Sequence, residues 1–148
     1  METGIEGIAP CGIDCVNCEV YAANITAELK SRLAGAMSLA PDNVPCRGCR
    51  TEKGCRLHFT SCDTLDCVTR RGHEFCHECG EFPCALLHPA ADRAATLPHN
   101  LKVFNLCRIK AVGPRAWLES EAKASRAKYY RGVMVVGSGP TLERKPAV

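Results

Sequence analysis

Large aromatic side chains are scarce in this chain. Its 148 residues hold one Trp, three Tyr and four Phe, only 5% of the total, so the cysteine-bearing half has little with which to build a conventional core and cross-links must substitute for burial there. Long apolar runs are missing as well. No stretch approaches the ~18 residues of a membrane span, and Met1 to Pro10 shows acids and glycines where a secretory signal carries a basic segment and an apolar run of about 7 to 15 residues. These absences lead us to expect a cytoplasmic protein with no membrane contact. The length leaves no room for two full enzymatic domains, and no hydrolase-like grouping of nucleophile and base stands out.

Cysteine is abundant instead, at twelve residues. Eight fall between Cys46 and Cys84, Cys11, Cys15 and Cys18 lie upstream, and Cys107 lies alone downstream. In a reducing compartment thiols at C-x-x-C spacing read as metal ligands rather than disulfides. Cys46-Arg-Gly-Cys49 has the form of half a zinc knuckle, its glycine letting the backbone turn both sulfurs toward one ion. Cys76-His-Glu-Cys79 repeats the pair and adds Cys84 five residues later. Cys62 and Cys67, at the start of a short predicted helix from Asp63 to Arg71, are placed to share an ion near its N-terminus. The C-x3-C-x2-C spacing of Cys11, Cys15 and Cys18 also suits three corners of a 4Fe–4S cluster, although the chain is too short for the barrel that surrounds such clusters in radical enzymes. His58, His73 and His77 lie among the cysteines as potential further ligands.

Between the cysteine blocks, Glu19 to Ala40 is expected to form a helix, with Tyr21, Ile25, Leu29 and Leu33 on its buried stripe. Pro98 to Val112 and Ala116 to Tyr130 are expected to form two packed helices separated by Gly113-Pro114, with Cys107 a buried thiol. From Lys102 onward the chain carries a net charge of +7, against −4 before it, so the helices offer a basic surface. Arg47, Arg50, Arg56, Arg70 and Arg71 read as counter-charges to neighbouring thiolates. Gly132 to Pro140 imitates the opening of a dinucleotide fold, but Leu142 stands where Gly or Ala is needed and too little chain follows.

The succession Cys11-Gly-Ile-Asp-Cys15-Val-Asn-Cys18-Glu-Val-Tyr21, Cys46-Arg-Gly-Cys49, Cys62, Cys67 and Phe75-Cys76-His-Glu-Cys79-Gly-Glu-Phe-Pro-Cys84 resembles a small cysteine-rich prokaryotic family catalogued as domain of unknown function 3795. His99-Asn-Leu and Arg108 through Leu118 resemble its C-terminal helices. The resemblance implies a cytosolic metal-binding protein, commonly regarded as zinc-binding, with no assigned reaction. It carries over ten cysteines as metal ligands: Cys11, Cys15, Cys18, Cys46, Cys49, Cys62, Cys67, Cys76, Cys79 and Cys84. Cys55 and Cys107 depart from the pattern.

The expected architecture is a small mainly-α, metal-stabilised cysteine-rich domain with irregular zinc-knuckle-like loops, followed by a C-terminal helical pair. Its parts would be a flexible N-terminus (1–10), a cysteine-rich metal-binding region (11–95), packed helices (96–131) and a short strand or mobile tail (132–148). The expected function is that of a structural binding or adaptor module with no assigned reaction, holding two to three zinc ions and working with a protein partner. An iron–sulfur protein serving electron transfer or as an enzyme subunit is the alternative. A redox thiol protein and a nucleic-acid adaptor using the basic third are further, less favoured readings.

Overall fold

A computed structural model describes residues 5–54, 57, 61–87, 99–135 and 139–142, the fold being mainly helical with long irregular connections. Six α-helical segments follow one another: α1 Ala27–Met37, α2 Cys49–Glu52, α3 Asp63–Arg70, α4 His99–Val112, α5 Pro114–Trp117 and α6 Lys123–Arg131. A π-helical turn, Leu118–Ala122, joins α5 to α6, so one rod runs from Pro114 to Arg131. The described chain ends in a short antiparallel hairpin, β1 Val133–Val135 with β2 Gly139–Thr141, paired from Val133 opposite Thr141 to Val135 opposite Gly139.

The core forms where the two ends of the fold meet. Ile8, Phe75, Leu87, Leu106, Ile109, Trp117 and Ala122 make one buried cluster, with Ile8 and Trp117 both fully inaccessible. Residues 5–10 are thus not the flexible leader expected of 1–10. Ile8 forms an antiparallel bridge with Asp14, and the Gly7 carbonyl accepts from the amides of Cys15 and Val16 at 3.0 and 3.1 Å. Once the chain folds back on itself this way, an apolar Ile8 is carried inward under α4. The C-terminal helices likewise pack on the cysteine-bearing half rather than only on each other.

Several expected boundaries shift for local reasons. The first helix starts at Ala27, capped by Thr26, whose hydroxyl accepts from the Leu29 amide at 3.2 Å. Residues 19–26 instead turn, because the Asn24 amide donates to the carbonyls of Val16 and Cys18 at 2.5 and 2.9 Å, and Tyr21 bridges in parallel to Cys46. Ser38, in the left-handed region at φ 53°, ends α1 before Pro41 does. α3 matches its expected span, closing at Gly72 with φ 70°. In α4 Leu101, Asn105, Leu106 and Ile109 face inward, whereas Phe104 is 52% exposed and Cys107 is exposed, not buried as expected. Asn105 takes a place on the inner stripe, where its side-chain amide satisfies the Gly12 carbonyl at 2.7 Å, and Cys107 lies about 200° round the helix from it.

Candidate metal centre

The eleven described cysteines are all free thiols, so no disulfide cross-links this part of the chain. Cys55, Arg56 and His58 lie outside the described residues, as do His88 and the side chain of His99. Two neighbouring groups contain all ten cysteines of the expected ligand set, and each is assembled from segments far apart in sequence.

The first group joins the N-terminal loop to α2. The Cys15 thiol lies near Cys49, Cys11, Cys46 and Cys18, and Cys49 lies near Cys11, Cys62 and Cys46, close enough for ionisation of one to oppose ionisation of the next. Two backbone devices bring them together. Cys46 donates its amide to the Val20 carbonyl at 2.9 Å and its carbonyl accepts from Ala22 at 2.7 Å. Gly48, at φ 87°, then turns the chain sharply, bringing its amide to within 3.4 Å of Cys46 Sγ as a donor. A side chain there would meet Cys15 and Tyr21 as well as strain the backbone.

The second group is gathered by α3 and the loop beyond it. Cys67, Cys76, Cys79 and Cys84 line one shallow depression together with His73, Arg71 and Glu81. Arg71 donates to Cys79 Sγ at 3.1 Å and pairs with Glu81 at 3.0 Å, while the Glu81 amide donates to the same sulfur at 3.5 Å. Cys76 is fixed from below, its amide donating to the Pro10 carbonyl at 2.9 Å. His77 stacks on Phe75 at 5.5 Å between centroids, and burial lowers its pKa, which suits a packed neutral ring.

Cys11 stands between the groups, near Cys15, Cys49 and Cys62 on one side and Cys76 on the other. Burial pushes its pKa up, opposed by the nearby Lys102 ammonium. Cys15 is raised beyond the ordinary thiol range by burial and then by its thiol neighbours, and Cys49 and Cys76 are pushed up to about 12 for the same reasons. These sulfurs are therefore protonated at neutral pH when no cation is present.

Cys62 and Cys67, expected to share an ion, part company. Cys62 precedes α3 and belongs with Cys11 and Cys49, whereas Cys67 belongs with Cys76. Cys62 is in extended conformation just before the helix, whereas Cys67 lies within it, so helical spacing does not relate the two side chains. Among the described residues no three Cys, His, Asp or Glu side chains stand close enough to hold an ion without moving.

Sequence spacing did not reveal Arg50. Its guanidinium donates to the Ile8 carbonyl and to the Glu74 carbonyl, both at 2.7 Å, and lies over the Phe75 ring at 4.9 Å. One side chain ties the N-terminal loop, α2 and the second cysteine block together, beyond the counter-charge role expected of it.

The sequence matches the model of the family described as Protein of unknown function (DUF3795) over residues 7–89, more than half of the chain and a span that encloses all ten cysteines of both groups. No curated protein and no solved structure matches the chain.

Proposed function

The chain belongs to this family of unknown function, and from that premise we propose that it is a zinc-binding structural module, with no reaction of its own, that presents its C-terminal helices to a protein partner. One observation carries the reading: Cys67, Cys76, Cys79 and Cys84, brought from two segments, line one depression as free thiols. A four-thiolate set fits zinc, which is tetrahedral and takes sulfur at ~2.3 Å. Ion binding requires the four sulfurs to turn inward and lose their protons. The remaining six, Cys11, Cys15, Cys18, Cys46, Cys49 and Cys62, supply the further one or two sites. The zinc-knuckle-like turn at Cys46 to Cys49, with its amide donated to sulfur, supports ligation there.

In this reading the bound ion contributes no chemistry to a substrate and acts as a cross-link, worth on the order of 10 kcal/mol of folding free energy per site. The chain's own residues position it. Arg71 holds Cys79, Pro10 holds Cys76 through its carbonyl, and Asn105 anchors the Gly12 turn between Cys11 and Cys15. Among the described residues no helix is long and apolar enough to cross a membrane.

The Cys11/Cys15/Cys18 spacing supports one second reading, an iron–sulfur cluster, since thiolate sets suit iron as well as zinc. Anaerobic purification followed by metal analysis and a visible spectrum separates them. Two to three zinc per chain and no visible absorption are expected; iron with absorption that bleaches on reduction would replace zinc with the cluster.

A further inference from the structure

The segment from Asn17 to Leu29 and helix α6 enclose a cleft of about 410 Å³ that the thiol groups do not use. That volume lies within the ~300–1,000 Å³ typical of small-molecule sites. Its charged lining is unbalanced, with Lys123, Arg126 and Arg131 set against Glu19 alone, an excess of two positive charges. Arg126 is pinned in place. It pairs with Glu19 at 2.8 Å, donates to the Asp14 carbonyl at 3.4 Å, and lies over the Tyr130 ring at 4.6 Å, with only 12% of its side chain exposed. Arg131 reaches Glu19 only at 3.6 Å and is 74% exposed, and Lys123 makes no ion pair among the described residues. Lys123 is thus left to act on whatever enters, together with the exposed and more loosely paired Arg131, beside a third cation that is already fixed. Thr26, which caps α1, also lines the cleft, so the positive end of an eleven-residue helix adds to the same field.

These charges line a concavity that also has a partly exposed aromatic ring, Tyr130, in its wall. We propose that the cleft binds a small phosphate-bearing ligand through a dianionic phosphate group, with Lys123 and Arg131 on its oxygens. A phosphate monoester carries about −1.5 to −2 at neutral pH, which matches the excess charge. The accessible part of the Tyr130 ring suits a planar remainder attached to that phosphate. None of its charged lining groups is a thiol, although Cys18, between Asn17 and Glu19, lies close enough to act on Arg126 and Tyr130 from beside the cleft.

Calorimetric titration of the full chain as purified, at fixed ionic strength, tests the proposal with adenosine 5′-monophosphate, inorganic phosphate, adenosine and a single-stranded oligonucleotide as probes. Saturable binding of a phosphate probe and none of adenosine is expected, with Lys123→Ala and Arg131→Ala each weakening it about tenfold, the size of one charge-assisted contact. Tighter binding of the nucleotide, reduced by Tyr130→Leu, assigns an ester; equal binding of both phosphates, unaffected by Tyr130→Leu, assigns free phosphate. No binding of either phosphate probe would overturn the proposal, as would binding unchanged in the Lys123→Ala, Arg131→Ala double variant. Binding confined to a single-stranded oligonucleotide would also overturn it, by making the cleft part of a nucleic-acid face. Metal content measured on the same samples keeps a failure here distinct from a failure of the zinc reading.

Discussion

A thiol placed among other thiols away from water resists losing its proton twice over, once because its anion is poorly solvated and once because a neighbouring anion repels it. Cys15, Cys49 and Cys76 show both effects, burial being the larger. Their pKa values are raised in the metal-free fold, so their protons stay bound well above neutral pH and a cation must displace them. Zinc affinity should accordingly increase with pH. The apparent association constant should rise by up to about tenfold per pH unit for each such thiol, with about one proton released per thiol, and the rise should continue past the ~8.5 at which an ordinary thiol ionises. Competition titrations at pH 6, 7 and 8 check this, and an affinity indifferent to pH would count against thiolate ligation. The spacing of the cysteines shows which residues can ligate. It does not show that burial holds them protonated, because burial is set by distant segments: Cys11 and Cys76, for example, pack against the cluster of Ile8, Phe75 and Leu106.

At the scale of elements, local pattern was a good guide where structure is local and a poor one where a distant group intervenes. α3 and α4 were legible from their caps, their periodicity and Gly72 and Gly113, both of which adopt positive φ. The start of α1 was not, since the apolar period continues through Tyr21 and Ile25 while Tyr21 is engaged by Cys46 and Asn24 by the Cys15–Cys18 loop. The Cys76/Cys79/Cys84 triad was visible as a spacing, but its neighbour Cys67 is supplied by the rotation of α3. Arg50 shows the same limit, for its two acceptors lie 42 and 24 residues away. Removing it should loosen three segments together. Arg50→Ala is expected to destabilise the zinc-loaded protein by about 1–3 kcal/mol, as for lost hydrogen bonds from a charged donor, one to a partly buried carbonyl and one to an exposed one. Arg50→Lys should recover little, since an ammonium lacks the planar fork that spans two acceptors. Denaturant titration measures both, and full recovery by Lys would reduce Arg50 to a counter-charge.

Over the whole molecule, the cysteine-bearing half and the C-terminal helices share one core. Sequence pattern suggested a metal-bound region followed by a C-terminal helical pair, since the cysteines nearly end where the long apolar periodicity begins. The structure joins them through Ile8, Phe75 and Trp117, and Asn105 fastens α4 to the turn between Cys11 and Cys15. A metal lost from the first half should therefore be felt in the second, where the only tryptophan of the chain reports on it. Trp117 is fully buried and its emission senses water directly. The most direct measurement is its fluorescence while a chelator is added anaerobically with a reductant present. If bound zinc holds the fold together, the emission should shift to the red as metal is removed and return when zinc is restored; an emission maximum that stays in place after complete metal removal would contradict the account.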